Sequence, residues 1–485
     1  MENPGLIYKH ALFLNPYIES NANSTMKLFP PVGLEYVATS AKGLAEKITL
    51  LDLRHEEELS RPDKLLDFIR RDVDIVCAAI GWDRQLKEIC ALLELIPAGV
   101  RVVVGGYTAT EKAEELFRDC PRIDIIVRGE GEETIKEILI GLPLENILGL
   151  SYRKNGAVVH NANRPLPGVD AIAFPDRALR HNEYHLMLNG INVMNLKFDA
   201  VLSARGCPHN CKFCTFSLNP LGQKRNYAPR SSQSVADEIE GLAAKVVLFS
   251  DDNFFANPAR AEEICDLIIA RKIKKRFIAQ ARLEVSRYPS LLKKMVKAGF
   301  KVLLIGIESP HDRILAQMNK GFTSAMVRKA FSVLKKYPIY YHGYFIYGNI
   351  GETEEEMLYI SQFAKEIGVD SITLNKLRIE KFSPLKALAE KTPGYHVTES
   401  GALYSDEFPH SRLKKIGRKL RFSFYTPSRF MKMLGKNIFV VRFFTPWEVA
   451  QLIIMFPRLI YSAINREIQR GRLADSLKRT FVSNR

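Results

Sequence analysis

SARGCPHNCKFCT, residues 203–215, places three cysteines, Cys207, Cys211 and Cys214, within eight positions. Thiolates separated by three and then two residues can converge on one face of a 4Fe-4S cluster, and three thiolates for four irons leave one iron without a protein ligand. An open iron is a place where a substrate or cofactor binds. The chain has only 7 cysteines among 485 residues, so the grouping carries information. The competing reading is a zinc site with His209 as fourth ligand. Structural zinc favours paired Cys-x-x-Cys knuckles, and no second pair occurs in the sequence. Cys77, Cys90, Cys120 and Cys265 lack mutual metal spacing and read as small buried hydrophobes in a reducing cytosol.

Around this window, apolar runs alternate with amphipathic stretches. Ala200–Ala204, Val246–Asp251, Phe277–Arg282, Val302–Ser309, His342–Gly348 and Ser371–Arg378 are expected strands, with helices such as Ser234–Ala244 and Ser290–Ala298 between them. Six such units predict a partial (β/α)6 barrel over residues 196–395, whose chemistry belongs at the carboxyl ends of the strands. Asp251, Asp252, Arg282, Glu308, Ser309, Ile346 and Gly348 fall there.

Residues 1–140 repeat the alternation. Ala11–Asn15, Ile48–Leu53, Asp74–Ile80, Arg101–Gly106 and Asp124–Glu130 read as buried strands, and Leu34–Ala45 and Glu111–Arg118 as helices. Continuous apolar strands alternating with helices predict an α/β, doubly wound, Rossmann-like domain that binds ligand beyond its strand carboxyl ends. Those ends carry Asn15-Pro16, Gly81-Trp82, Gly105-Gly106-Tyr107-Thr108 and Gly129-Glu130-Gly131. Residues 141–195 form a connector, with a hairpin signal at Asn155-Gly156 and a proline-bearing strap at Arg164–Asp176.

Cys-x-x-x-Cys-x-x-Cys with the aromatic Phe213 before its last cysteine resembles the signature of the radical S-adenosylmethionine (SAM) enzymes. The amino-terminal layout, with Pro30–Leu34 (which includes Gly33), the Val-Gly-Gly turn and Arg128–Thr134, resembles the cobalamin-binding domain that precedes the barrel in one large subfamily of methyltransferases and cyclases. The resemblance implies that Cys207, Cys211 and Cys214 hold the cluster. It implies that Phe213, Asp251 or Asp252, Arg282, Glu308, Ser309, Ile346 and Gly348 contact SAM, with Arg282 as a bidentate partner of the SAM carboxylate. It places cobalamin against Asn15, Pro16, Gly33, Gly81, Trp82, Gly105, Gly106, Thr108, Gly129, Glu130 and Gly131. No Asp-x-His-x-x-Gly, the histidine motif of other cobalamin proteins, occurs, an absence common in this subfamily, and Asn349-Ile350 replaces the usual pair before Gly-Glu-Thr.

The activity implied is a 5′-deoxyadenosyl radical used to methylate or remodel an unactivated carbon, with oxidative cyclisation or ring rearrangement as the alternative. A flavodoxin or ferredoxin would supply electrons. A non-catalytic zinc or nucleic-acid module is the reading of another class, and an RNA methylthiotransferase would need a second set of cluster cysteines that the chain lacks.

The net charge of +16 is uneven: residues 411–485 hold 17 Lys and Arg against 3 Asp and Glu, so the first 410 residues are nearly neutral. Within the mainly helical region expected at 396–485, Asn437–Ile464 is apolar but broken by Arg442, Pro446, Glu448, Pro457 and Arg458, too interrupted to span a bilayer. Apolar residues with flanking Arg and Lys predict a helix in a membrane interface, and with it a hydrophobic, lipid- or terpenoid-like substrate. Packing of the tail on the barrel is the alternative; nucleic acid is disfavoured by the large aliphatics among the charges. The amino terminus has no secretory pattern, so a cytoplasmic protein, peripheral on the inner membrane face, is expected.

Overall fold

The structure, a computed structural model, describes residues 6–17, 28–169, 172–188, 191–214, 218–459 and 461. It divides into two compact units, Met1–Asp199 with Pro446–Arg485, and Ala200–Thr445. The span expected as one carboxyl-terminal region is therefore shared between them.

In the first unit, strands β1 (His10–Asn15), β2 (Lys47–Asp52), β3 (Ile75–Ala79), β4 (Arg101–Gly105) and β5 (Ile125–Val127) run parallel in the order β2-β1-β3-β4-β5. Every residue of β1 is buried, as expected of a strand covered on both faces. Leu12 and Leu14 pack with Leu65, Ile69, Leu93 and Leu116, under helices α2 (Pro62–Asp72), α3 (Leu86–Glu94) and α5 (Ala113–Asp119). Ala11 and Phe13 pack with Leu34, Ala38, Ile135 and Ile138, under α1 (Val32–Ser40) and α6 (Glu132–Leu139). This period-two division makes the sheet doubly wound. The helix expected at Glu111–Arg118 breaks at Lys112, which leaves α4 (Tyr107–Glu111) as a separate turn beside α5. The antiparallel hairpin of β6 (Leu150–Lys154) and β7 (Ala157–His160) turns on Asn155 and Gly156, both at positive φ. Residues 170–171 of the expected strap lie outside the described residues. β8 (His185–Leu188) pairs antiparallel with β9 (Ile191–Val201), whose last two residues enter the second unit.

There the short pair β10 (Ala204–Arg205) and β11 (Ala228–Pro229) brackets the cysteine loop. Strands β12 (Val246–Phe249), β13 (Arg276–Ala281), β14 (Phe300–Glu308), β15 (Tyr340–Tyr347) and β16 (Ser371–Lys376) lie parallel and adjacent in chain order, next to the end of β9. Helices α7 (Ser232–Gly241), α8 (Pro258–Ala270), α9 (Pro289–Ala298), α10 (Asp312–Gln317), α11 (Ser324–Leu334) and α12 (Glu354–Ile367) fill the crossovers, which gives the partial (β/α)6 barrel. Phe277, Ala279, Leu303, Ile305, Tyr341 and Phe345 face these helices in the main core. By alternation Ile278, Gln280, Val302, Leu304, His342 and Tyr344 line the opposite, inner face.

After α13 (Leu385–Lys391) and the pair β17 (Tyr395–Val397) and β18 (Leu403–Ser405) comes α14 (His410–Phe424), whose Leu413, Ile416, Leu420 and Phe424 enter the barrel core. This part of the tail packs on the barrel. The single interfacial helix expected at Asn437–Ile464 is instead divided. α15 (Pro427–Gly435) runs into a wide turn at Lys436–Val440, the chain breaks over 441–445, and a new helix covers 446–459, residues 460 and 462–464 lying outside the described residues. Arg442, at a φ of +52°, lies outside helical backbone, and Pro446 fixes where the next helix starts, because a residue before proline is driven away from helical backbone. Among the described residues no helix is long and apolar enough to cross a membrane.

Candidate cluster and cofactor sites

The cysteine loop begins at Gly206, where φ is +76° and a side chain would collide with the Arg225 carbonyl oxygen, so glycine alone permits the turn. The Lys212 N–H donates to the Met318 carbonyl at 3.0 Å, Asn319 Nδ2 to the Asn210 carbonyl at 2.9 Å and the Ser383 hydroxyl to the Lys212 carbonyl at 2.5 Å. Cys211 is buried and Cys207 and Cys214 half-buried. Burial holds the Cys207 thiol above its ordinary pKa, and burial together with the Arg282 charge lowers that of His209. Among the described residues no three His, Cys, Asp or Glu side chains stand together as a site for one metal ion. Three thiols on one tethered loop fit a cluster with three protein ligands and one open iron.

The paired aspartates after β12 have different tasks. Asp251 is buried and accepts hydrogen bonds from the Ser203 N–H at 2.6 Å and from the Ser203 hydroxyl. Arg260 on α8 donates to the Ser203 carbonyl at 2.7 Å. Asp251 is thus a strut beneath the cysteine loop. Burial pushes its carboxyl up to about 6 against the pull of those hydrogen bonds. Asp252 is raised to about 7, by burial first and by the Asp251 charge second; the Gly206 N–H opposes both. Its carboxylate faces the loop turn and accepts from that N–H.

Glu308 sits at φ +70° in a bulge of β14, an uncommon conformation for a residue with a side chain. Its carboxylate meets the buried Lys320 ammonium at 3.2 Å, and a Cβ on Gly306 would come within 2.6 Å of Glu308 Oε1. Lys320 also lies 5.7 Å from the Phe213 ring centroid and 5.3 Å from that of Phe322. Ser309 is buried and accepts from the His311 N–H at 3.1 Å. Arg282 donates to Cys211 Sγ at 3.4 Å and to the Lys320 carbonyl at 2.5 Å, and pairs with Glu284 at 3.2 Å. Lys320 escaped the sequence reading because a lone lysine in Met-Asn-Lys-Gly gives no signal.

Phe213 packs with Ile346, Ile314, Met318 and Ile350, which brings two expected SAM residues into one apolar patch. Gly348 has φ +74°. Asn349, the departure noted in the sequence, donates to the Ile346 carbonyl at 3.1 Å and to the buried Glu352 carboxylate at 2.9 Å. Burial raises Glu352 to about 7. Along the inner face, His342 bridges the hydroxyls of Ser371 at 2.7 Å and Thr373 at 2.8 Å, with Tyr344 edge-on at 5.0 Å.

In the first unit, strand order reverses between β1 and β3, where doubly wound sheets bind ligands. There the Tyr17 hydroxyl donates to the Trp82 carbonyl at 2.8 Å and accepts from the Trp82 N–H at 2.7 Å. The Arg84 guanidinium stands 4.7 Å from the half-exposed Trp82 ring. Asn15 is buried with its amide committed to Asp52 Oδ1 at 2.9 Å, and Pro16 is buried beside it. At Gly106, φ is +109° and a Cβ would lie 2.8 Å from the Ile80 carbonyl oxygen; at Gly105 it would find ordinary contact with Val127. The Gly129 N–H donates to Thr110 Oγ1 at 3.0 Å, Thr108 is buried, Glu130 is half-buried and Gly131 precedes α6. A Cβ at Gly33 or Gly81 would meet nothing within 4 Å, so the chain's own packing does not require glycine at either. With no side chain of their own, Gly81 after β3 and Gly33 at the start of α1 leave the backbone open to close approach, and these glycines would hold cobalamin.

Residues 201–364 match the radical SAM superfamily and residues 22–139 match the B12 binding domain. The chain is 32% identical over 359 residues to an uncharacterized methyltransferase of Pyrococcus horikoshii, covering 70% of this chain and 74% of that one. It is 29% identical to an anaerobic magnesium-protoporphyrin IX monomethyl ester cyclase of Cereibacter sphaeroides, with 71% and 58% covered, and 25% identical to a hopanoid C-3 methylase of Methylococcus capsulatus, with 58% and 53% covered. Its fold matches the radical SAM methyltransferase TsrM from Kitasatospora setae, solved with cobalamin and a 4Fe-4S cluster, at a TM-score of 0.68 and 15% identity, over 87% of this chain and 90% of that one. The chain belongs to the radical SAM superfamily, in the group that carries a B12-binding domain ahead of the radical SAM domain. It is a radical SAM enzyme whose cofactors are a 4Fe-4S cluster, SAM and cobalamin.

Proposed function

We propose that this enzyme transfers a methyl group to an unactivated carbon of a hydrophobic, lipid- or terpenoid-like metabolite. The observation that carries the reading is the pairing, in one chain, of a cluster loop of the radical type with a cobalamin-type domain whose open glycines stand at the strand-order reversal. When bound, the cluster with SAM supplies a 5′-deoxyadenosyl radical, and cobalamin supplies the methyl group. The chain's own residues bind and orient. In this reading Asp252, Glu308 and Ser309 would meet the polar parts of SAM, and Phe213 and Ile346 its apolar parts; the grouping of Phe213 with Ile346 in one apolar patch supports it. The inner face supports an apolar substrate with an uncharged oxygen function, because Ile278, Val302 and Leu304 lie in register beside Gln280, Tyr344 and the Ser371–His342–Thr373 bridge. The relatives named a hopanoid methylase and a porphyrin ester cyclase fit a substrate of this class.

The carboxyl-terminal helix supports contact with an anionic membrane surface. Trp447, Ile454 and Tyr461 recur at seven-residue spacing and are 71%, 73% and 70% exposed, in a basic part of the chain. A flavodoxin- or ferredoxin-type carrier would supply electrons.

The test is anaerobic reconstitution with iron, sulfide and hydroxocobalamin, followed by incubation with reductant, membrane lipid extract and SAM deuterated in its methyl group. A lipid carrying the labelled methyl, formed together with 5′-deoxyadenosine, supports the proposal. An unlabelled, cyclised product with 5′-deoxyadenosine would replace it with oxidative cyclisation, and zinc without iron would end it.

A further inference from the structure

The Arg282 guanidinium is committed on the sides a carboxylate would need. Nε and Nη2 meet Glu284 Oε1 at 3.4 and 3.2 Å, Nη2 donates to the Lys320 carbonyl at 2.5 Å, and Nη1 donates to Cys211 Sγ at 3.4 Å. Arg282 and Cys211 are each more than nine-tenths buried, and the Phe322 ring covers the guanidinium at 5.6 Å. A SAM carboxylate held at two points, the partner implied by the family resemblance, would have to displace one of these bonds. A buried cation hydrogen-bonded to a ligand sulfur has a different consequence: it favours the more negative state of whatever that sulfur binds.

We propose that Arg282 is a positioning and tuning residue for the cluster, setting through the Cys211 sulfur how readily the cluster accepts an electron. Reduction adds one electron, and so one negative charge, from an external one-electron carrier, with no bond made or broken. The Arg282 charge stabilises that added charge and raises the midpoint potential. Glu284, on the far side of the guanidinium, partly cancels it. The inference rests on the cluster being seated on Cys207, Cys211 and Cys214, and is independent of the substrate.

The full-length protein, its cluster reconstituted anaerobically, and its variants Arg282→Gln, Arg282→Lys and Glu284→Gln are titrated with a chemical reductant in the absence of SAM. The reduced cluster is followed by electron paramagnetic resonance and iron is counted in each sample. Arg282→Gln is expected to lower the midpoint, Arg282→Lys to restore part of it, and Glu284→Gln to raise it. Wild-type midpoints in iron-loaded Arg282→Gln and Glu284→Gln, with the Arg282→Gln defect confined to SAM affinity, would overturn the proposal and return Arg282 to the SAM carboxylate. Where Arg282→Gln retains no iron, Glu284→Gln decides alone: a raised midpoint supports the tuning role and an unchanged one overturns it. A wild-type protein that takes up no iron would fail the cluster assignment itself, a result separate from either outcome.

Discussion

Asp251 accepts two hydrogen bonds from a single residue, the backbone N–H and the hydroxyl of Ser203, four positions before the first cluster cysteine. The strand-end carboxylate is therefore spent on Ser203, just before the cysteine loop, while its neighbour Asp252 faces the loop turn at Gly206. Asp251→Ala strands the buried Ser203 N–H, a loss of about 1–3 kcal/mol. It is expected to lower both the melting temperature and the iron bound on reconstitution. Asp252→Ala, which loses one bond from the Gly206 N–H where Asp251→Ala loses two from Ser203, is expected to lower both less while weakening SAM binding tenfold or more, read from the SAM-dependent change in the spectrum of the reduced cluster. The reverse pattern would exchange the two roles.

The glycines of the first unit separate folding from binding. Gly106→Ala places a Cβ 2.8 Å from the Ile80 carbonyl at a φ of +109° and is expected to destabilise the protein by about 1–3 kcal/mol. A Cβ at Gly81 meets nothing. Gly81→Val is therefore expected to shift stability by less than about 0.5 kcal/mol, yet to reduce hydroxocobalamin uptake, measured by absorbance after gel filtration. Unchanged uptake would move cobalamin away from this loop.

Much of this was legible in the sequence for simple reasons. Parallel strands buried on both faces read as unbroken apolar runs, and β1, β3 and β4 do so, which gave the doubly wound sheet and the strand-end loops together. The cluster loop was legible because its ligands come from one short segment. Residues assembled across the barrel were not. Lys320 meets Glu308 only through a positive-φ bulge, and Arg282 reaches Cys211 across 71 positions of sequence. Nor does composition say which of Asp251 and Asp252 turns inward, since adjacent residues differ only by the phase of the strand end. The tail shows the same limit: the apolar run Asn437–Ile464 suggested one interfacial helix, whereas the chain leaves helical backbone over 441–445 and Pro446 starts another helix.

His342 predicts a pH dependence. Burial pushes its imidazole down to about 4 from an ordinary 6.5, so between those values the unfolded chain binds the proton and the native chain does not. Stability is expected to fall as pH drops through 6.5, with the loss complete near 4; by pH 5 it amounts to about 2 kcal/mol. His342→Gln removes this titration. Chemical denaturation of wild type and variant at pH 7.5 and pH 5 should show the smaller loss in the variant. Equal losses would mean that the imidazole titrates normally.

The exposed stripe of Trp447, Ile454 and Tyr461 has a consequence for binding that can be weighed by magnitude. Burying one large apolar side chain contributes about 2 kcal/mol, roughly a thirtyfold change in partition. Attraction of basic residues to anionic lipid adds about 1 kcal/mol for each one near the surface and weakens with salt. Full-length protein is therefore expected to cosediment with vesicles of phosphatidylcholine and phosphatidylglycerol, more weakly with phosphatidylcholine alone, and less as salt is raised. Trp447→Ser with Ile454→Ser should lower the partition by a hundredfold or more while leaving the melting temperature unchanged, because both side chains are already in water. Binding that responds to salt but not to this double variant would assign the contact to charge alone and remove the helix from the membrane interface.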